Sequence, residues 1–483
     1  MEEMDNITNH VYLRDITLHD YKCFKGDNKF TFVSGKNTDT EKFKIPQCTV
    51  FLGDNGTGKT NILKAIANMI PVKVNISDKS SDEQKQSADG ADKKEIPDFG
   101  MVISAGEQKP AQPKTMYRPN VIERYSVEGY TNSMHFSIKR GENTKLRQSD
   151  YYPLSDILTR FIDKNGNQKI AMSDIHVGYT SAQNNVTYDR PELDDLVVFG
   201  YGVNRFADTQ RNLKSGGNVD TLFYNNKPLI NLEEWLLQLF FATKSDPKQK
   251  EKAHKRLNLL KDIFNHSRLF PDIKGFKAVT DDDLNTHILF ETSSGDYPLH
   301  ELGYGYQCMF AWIFDFIKKM IERYPDSKAP LKESAVLLLD EVDLHLHPQW
   351  QRHVLKDLCD LFPNTQIIAT THSPLVIQSA DNMNLYVLTN KDGKTTAKFY
   401  EATTFQGWSV EEILSELMDL GDDGVRSDTY LKLRSELDHA MNMNNISESL
   451  RLYNTLKKML HPGSQEAEDL DLDIEDLKDR RND

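Results

Sequence analysis

The chain has 483 residues, 38% of them hydrophobic and 27% charged, and a formal net charge of −14. That length buries a large core and suits one major domain with insertions, while the acidic balance argues against a general polyanion binder. No stretch reaches the ~18–20 apolar residues of a membrane span, and the acidic start Met1-Glu2-Glu3-Met4-Asp5 lacks a signal peptide's apolar core, so a cytoplasmic protein with no membrane partner is expected.

In chain order, residues 11–70 alternate apolar and polar, which predicts strands near Val11–Tyr21 and Lys29–Phe32. Cys48-Thr49-Val50-Phe51-Leu52-Gly53-Asp54-Asn55-Gly56-Thr57-Gly58-Lys59-Thr60-Asn61 then reads as a strand running through G-x-x-x-x-G-K-T into a helix that ends at Met69. In this spacing the glycines let backbone N–H groups turn inward around phosphates, and Lys59 reaches the β- and γ-phosphates. The Thr60 hydroxyl faces Mg²⁺, and the helix N-terminus adds a partial positive charge. ATP and Mg²⁺ are the implied cofactors, with residues 53–61 as the binding segment.

Asp78 to Pro97 is polar without apolar period and is expected to be a flexible surface loop. Met116–Val127 and Met134–Ile138 are expected as antiparallel strands, Leu154–Phe161 as a short helix, and Gln168–Tyr188 is weakly patterned. Leu196 to Gly202 is a buried strand with a glycine-rich exit. Beyond it, Asn204 and Arg205 either face nucleotide or an opposing subunit, or follow a tight turn that leaves Arg205 on the surface. Leu232–Phe241 and Pro247–Phe264 form a helical pair. Its lysine-rich face (Lys244, Lys248, Lys250, Lys252, Lys255, Arg256) is either a DNA-facing patch or an ordinary solvated surface.

Glu301-Leu302-Gly303-Tyr304-Gly305-Tyr306-Gln307 precedes an apolar helix, Cys308 to Ile321. Ala335-Val336-Leu337-Leu338-Leu339-Asp340-Glu341 is a buried parallel strand delivering two carboxylates at its end. Asp340 would hold Mg²⁺ and Glu341 would polarise the attacking water. Thr365 to Thr371 is a second buried strand, followed by His372 at the γ-phosphate switch position. Leu385–Leu388 and Lys398–Tyr400 make a hairpin. Ser409–Leu420, Tyr430–Met441 and Glu448–Leu460 are amphipathic helices, either a packed appendage or a docking surface for a partner. The tail beyond Pro462 is acidic and expected to be disordered. The four cysteines, Cys23, Cys48, Cys308 and Cys359, lack paired spacing and read as reduced thiols.

The phosphate loop, the Asp340-Glu341 strand and the Thr371-His372-Ser373-Pro374 strand end resemble the heads of ABC and SMC-type ATPases. That resemblance implies an α/β fold, a mixed sheet with flanking helices, plus a helical insertion and a C-terminal helical appendage. It also implies a site completed by a second copy, whose signature helix presents Gly303, Gly305 and Gln307 to the γ-phosphate. This chain departs from the ABC pattern where Gly303 replaces the usual serine and His347 the usual aspartate. The stretch Asp340-Glu341-Val342-Asp343-Leu344-His345-Leu346-His347-Pro348-Gln349-Trp350-Gln351 is similar to a narrower group, the PtuA ATPases of Septu and Septu-bearing retron antiphage systems. Tyr12 to Phe24, Phe199 to Arg205, Gly303 to Trp312, and Thr404 to Leu414 support that likeness.

The family resemblance implies an antiphage complex in which an ATPase, at least dimeric, regulates an H-N-H nuclease of the PtuB kind. Retron systems would add a reverse transcriptase with its RNA and DNA. No H-N-H or metal-binding nuclease motif is legible in the chain itself. The open alternatives are a slowly turning over ATP-gated scaffold, given Gly303, or a DNA-repair-type SMC-like ATPase. The expected division is a head built from 1–70, 195–230 and 276–405, a strand-rich and loop insertion at 71–194, and a helical insertion at 231–275. The C-terminal helices would occupy 406–462 and the acidic tail 463–483.

Overall fold

The computed structural model describes residues 9–33, 48–75, 115–119, 130–140, 151–162, 168–173, 195–208, 216–379, 381–420 and 426–479. The expected loop Asp78–Pro97 lies outside them. Contacts divide the chain into two compact units, residues 1–407 and 408–483.

The first unit begins with β1 (Asn9–His19), β2 (Asp27–Thr31) and β3 (Cys48–Gly53), followed by α1 (Lys59–Met69). Next come β4 (Pro71–Asn75), β5 (Thr115–Pro119), β6 (Tyr130–Arg140), β7 (Tyr151–Ile162), β8 (Gln168–Ser173) and β9 (Val198–Tyr201). After α2 (Asp220–Phe223), the helical pair is α3 (Leu232–Ala242) and α4 (Pro247–His266). A small antiparallel sheet, β10 (Ile273–Thr280), β11 (Thr286–Thr292) and β12 (Asp296–Tyr297), leads to the long helix α5 (Tyr304–Arg323). The unit closes with β13 (Ala335–Leu339), α6 (Pro348–Gln351), α7 (Val354–Leu361), β14 (Thr365–Thr371), α8 (Pro374–Ser379), β15 (Met383–Lys391) and β16 (Lys394–Thr403).

The central sheet has six strands in the order β16-β15-β3-β14-β13-β9. All neighbours pair in parallel except the β15–β16 hairpin at one edge. Every residue of β3, β9, β13 and β14 is buried, which explains why these segments read as continuous apolar runs rather than alternating ones. Parallel pairing also sends the ends of β3, β13 and β14 to the same edge of the sheet, where the sequence places Gly53, Asp340 and His372.

A second, antiparallel sheet, β2-β1-β6-β7-β8, shares one core with the first. Phe24, Phe30, Phe32, Phe51 and Tyr386 meet there, with Phe51 and Tyr386 stacked at 5.2 Å. Three side chains stitch the two sheets by imitating backbone. Buried Gln366 accepts from the Leu13 N–H at 2.9 Å and donates to the Leu13 carbonyl at 2.8 Å. Asn384 donates to the Phe32 carbonyl, and the Tyr386 hydroxyl bonds both the N–H and the carbonyl of Thr31. Orphaning such a buried backbone group costs about 1–3 kcal/mol, so these polar residues belong to the core as much as the phenylalanines do.

The structure corrects the expected helix at Leu154–Phe161, because that segment lies within β7, hydrogen-bonded between β6 and β8. Leu154, Ile157, Leu158 and Phe161 match a helical period, but two available strand partners outweigh a local pattern. The helical pair is a compact insertion. Ala253, Leu257, Leu260 and Phe264 of α4 face inward, while Lys248, Lys250, Lys252 and Lys255 are exposed.

The second unit contains α9 (Val410–Leu417), α10 (Asp428–Asn442), α11 (Ile446–Lys457) and α12 (Gln465–Asp479). Over residues 465–479, helix α12 overturns the expectation of a disordered acidic tail. Ala467, Leu470 and Ile474 recur at helical spacing and are buried, the latter two in one cluster with Tyr430, Leu437, Leu452 and Leu456. Two of the carboxylates that suggested disorder are paired outside that core: Asp473 takes Arg434 at 2.6 Å, and Asp471 takes Lys457 at 2.5 Å and the Tyr453 hydroxyl at 2.7 Å. Much of the apolar face read as a docking surface is therefore covered by α12.

Within α5 a fully buried carboxylate, Asp315, pairs with Lys319 at 2.9 Å and accepts the Tyr201 hydroxyl of β9 at 2.8 Å. Removing one member of such a pair leaves the other charge uncompensated. Asp315→Ala is expected to lower unfolding free energy by about 3–5 kcal/mol in urea denaturation. The exposed Lys255→Ala should stay within ~0.5 kcal/mol, and comparable losses in both would contradict a buried-charge role for Asp315.

Candidate functional site

The phosphate loop lies between β3 and α1, packed against the turn that follows β1. Gly53 approaches β15 so closely that a Cβ would stand 2.4 Å from the Leu388 carbonyl oxygen. Gly58 has φ 97°, and a Cβ there would lie 2.3 Å from Cys23 Sγ. Both positions therefore require glycine. Thr57 closes the loop by donating its hydroxyl to the Asp54 carbonyl at 2.8 Å. Helix α1 begins with no side-chain cap, which leaves its first N–H groups for an anion. Lys59 is buried and folds back on the loop, donating to the Gly53 and Asp54 carbonyls at 2.7 and 2.9 Å. Burial pushes its ammonium below the usual lysine range, against the raising pull of Asp340, Glu341, Asp54 and Asp343.

Across the sheet, Asp340 emerges from β13 and is buried. Its carboxylate accepts from the Thr60 hydroxyl at 2.8 and 3.0 Å and from the Thr370 hydroxyl at 2.7 Å. Thr370 in turn accepts the Glu341 N–H at 2.7 Å. A hydroxyl and a carboxylate brought within hydrogen-bond distance make a hard-oxygen pair suited to Mg²⁺, which takes one or two protein oxygens and keeps its remaining positions for phosphate and water. Thr60 and Asp340 thus fit the cation the sequence implied.

Glu341 is half-buried and left-handed, with φ 49°, a conformation that costs a side-chain-bearing residue roughly 1–3 kcal/mol. The strain is held by two neighbours, Thr370 of β14 and Arg205 of the segment after β9. Thr370 fixes its N–H, the Val342 N–H donates to the Thr370 carbonyl at 2.9 Å, and Arg205 donates to the Glu341 carbonyl at 3.1 Å. His372 is half-buried just beyond β14, on the same sheet edge.

Arg205 was expected to face a ligand or subunit, or else solvent. It does neither. It is buried, donates Nε to the Gly202 carbonyl at 2.8 Å, and donates to the Asp340 and Glu341 carbonyls from behind the acidic turn. Its guanidinium lies 5.6 Å from the Trp312 ring of α5, and burial lowers its pKa to about 10. Arg205 and Thr370 are parts of the site whose roles the sequence reading missed. A buried Thr-Thr-His strand end was the available signal for Thr370.

The signature turn lies on the segment that follows Glu341. Gly303 precedes α5 with ordinary backbone angles, and a Cβ there would meet nothing nearer than Tyr306 Cδ2 at 4.0 Å. At Gly305 a Cβ would stand 2.6 Å from the His345 carbonyl oxygen. Tyr304 packs edge-on against His345 at 4.7 Å, and Tyr306 against Trp350 at 4.4 Å. The Gln307 amide donates to the Leu302 and His300 carbonyls at 2.7 and 3.1 Å, so its N–H groups brace this loop. Asp54, Asn55, Gly56 and Asn61 complete the phosphate-loop set. Gly56 has φ 80° with open space at its Cβ position, and the Asn61 Oδ1 accepts from Lys22 at 3.2 Å.

These contacts make the two glycines unequal. Gly303→Ser is expected to leave the thermal midpoint within ~1 °C, because the site has room for the hydroxyl. Gly305→Ala must displace backbone and should lower the midpoint by a few degrees, about 1 °C per kcal/mol at ~2.1 cal/mol/K per residue over a unit of this size. Differential scanning fluorimetry of both variants checks this, and a tolerated Gly305→Ala would overturn the close contact with His345.

A protein-family profile described as "AAA domain, putative AbiEii toxin, Type IV TA system" matches residues 214–378, a span that contains the signature turn, Asp340-Glu341 and His372 and begins after the phosphate loop. The chain is 29% identical to "Septu protein PtuA" of Bacillus thuringiensis over 245 residues, 50% of this chain and 60% of that protein. It is 30% identical to the "Retron Ec83 probable ATPase" of Escherichia coli over 177 residues, 36% of this chain and 32% of that one. Over 415 residues it is 24% identical to the "Retron Vc95 probable ATPase" of Vibrio cholerae serotype O1 biovar El Tor, covering 79% and 74% of the two chains. The matched part thus spans less than two thirds of each of the first two relatives. A solved SMC head bound to the C-winged helix domain of ScpA aligns over 81% of this chain at 13% identity and a TM-score of 0.41. Among the described residues no helix is long and apolar enough to cross a membrane. In its motifs and in these relatives, the chain is similar to the antiphage ATPases of the PtuA type.

Proposed function

We propose that the protein binds MgATP between two copies of its first unit, hydrolyses it, and uses the cycle to regulate a partner nuclease in antiphage defence. The observation that carries this reading is the Thr60–Asp340 contact at 2.8 Å, which joins the phosphate loop to the acidic strand across 280 residues of sequence. Lys59 turns from the loop carbonyls to the β- and γ-phosphates, a charge-assisted contact stronger than a neutral one. Thr60 and Asp340 would hold Mg²⁺, which would neutralise charge on the phosphate oxygens. Glu341 orients and deprotonates the attacking water, and His372 contacts the γ-phosphate from the end of β14. The N-terminus of α5, with Gly303 and Gly305, faces the nucleotide of the second copy, and its N–H groups favour the negative charge there.

The named relatives support the wider assignment. A Septu-type partner would be an H-N-H nuclease of the PtuB kind, and a retron setting would add a reverse transcriptase with its RNA and DNA; DNA itself is a further candidate ligand. A second reading is favoured by one residue. Gly303 offers no hydroxyl to the γ-phosphate, so the assembly could act as an ATP-gated clamp with slow turnover.

Lys59→Ala should abolish nucleotide binding in isothermal titration calorimetry, and retained tight binding would sink the phosphate-loop assignment. Glu341→Gln should keep binding, lose turnover and accumulate ATP-dependent oligomers visible by mass photometry. Hydrolysis at the wild-type rate in that variant would remove Glu341 from the base role. Steady-state phosphate release separates the two readings. Hydrolysis that rises roughly tenfold in Gly303→Ser matches a restored donor worth about 1.5 kcal/mol in the transition state. An unchanged slow rate favours the clamp.

A further inference from the structure

We infer that Arg205 is a positioning residue for turnover, setting the Glu341 carboxylate by gripping the backbone behind it. The inference rests on the proposed ATPase site and assigns it a part that lies outside the phosphate loop, the acidic strand and the signature turn. Three observations carry it. Arg205 is buried, yet its donors go to main-chain carbonyls, those of Gly202, Asp340 and Glu341, rather than to a paired carboxylate. A buried cation spent on carbonyls is a costly arrangement, and it fixes a peptide more rigidly than a neutral donor would. The carbonyls it holds flank Glu341, whose φ of 49° is the left-handed conformation an unconstrained glutamate leaves readily.

The location also explains why an arginine is needed. The acidic turn carries Asp340, Glu341 and Asp343 close together in sequence, and all three carboxylates pull on the buried Arg205 charge. Its planar fork reaches the consecutive Asp340 and Glu341 carbonyls together with Gly202, which a lysine's point charge cannot reproduce. The same guanidinium packs on Trp312 of α5, so the helix that carries the signature turn and the turn that carries Glu341 share one contact. Nucleotide affinity, by contrast, resides in Lys59, the loop N–H groups and Thr60, none of which touches Arg205.

The expected signature is therefore a split between kcat and binding. Arg205→Lys keeps charge and most volume but loses the fork. It should reduce kcat at least tenfold while the Kd for a non-hydrolysable ATP analogue stays within threefold of wild type. In Arg205→Ala, millimolar guanidinium should restore turnover at least fivefold, and the same addition should do nothing for Glu341→Gln. Thermal midpoints measured with and without the analogue report whether each variant is folded and binds. A wild-type kcat in Arg205→Lys overturns the inference, and so does a fall in kcat matched by an equal loss of affinity. Absence of rescue in a folded, analogue-binding Arg205→Ala overturns it as well. If wild-type protein itself fails to bind the analogue, or Lys59→Ala binds it normally, the failure belongs to the proposed ATPase site and not to Arg205.

Discussion

The described site depends on a carboxylate delivered by a buried parallel strand and held by two threonine hydroxyls. Asp340 is accommodated at the edge of an apolar sheet because Thr60 and Thr370 hydrogen-bond it from the two flanking elements, α1 and β14. Each bond does two jobs. It satisfies an acceptor that burial would otherwise penalise, and it sets the spacing between the phosphate loop and the acidic strand. The Thr370 hydroxyl extends the arrangement to Glu341 by accepting its N–H. A single hydroxyl thereby joins the Asp340 carboxylate to the Glu341 backbone.

The segment after Asp340 concentrates backbone strain beside the candidate site. Glu341 and His345 both have positive φ, at 49° and 63°. Non-glycine residues hold such angles only where surroundings over-determine them, and here the surroundings come from separate parts of the chain. Arg205 and Thr370 pin the first position. At the second, the His345 carbonyl sits against Gly305 and its ring against Tyr304. Substitutions at Gly305 or Arg205 therefore act on the acidic turn without touching the phosphate loop.

The core beneath the site uses polar groups as structural members. Gln366, Asn384 and Tyr386 bond backbone groups of the antiparallel sheet, and Asp315 with Lys319 ties α5 to β9 through Tyr201. Such contacts specify which strand sits beside which, a demand that apolar packing alone meets loosely. The C-terminal unit solves a smaller version of the same problem, with α12 burying apolar residues against α10 and α11 while its carboxylates pair with Arg434 and Lys457.

By itself the sequence determined the phosphate loop, the acidic strand, the His372 strand end and the signature turn, because each depends on short-range spacing that only a few backbone geometries allow. It also determined the buried parallel strands, whose unbroken apolar runs cannot sit on a half-exposed sheet. It misread Leu154–Phe161, where a helical period met two available strand partners, and residues 465–479, where charge obscured three apolar positions at helical spacing. Tertiary structure alone decided that Arg205 grips the Asp340-Glu341 backbone, that Thr370 joins the two carboxylates, and that Gly305 but not Gly303 is sterically fixed. Those facts rest on contacts between residues as far as 136 positions apart for Arg205 and 30 for Thr370. No local pattern encodes such contacts, because what selects the residue is a carbonyl or carboxylate that reaches it only when the sheet has formed.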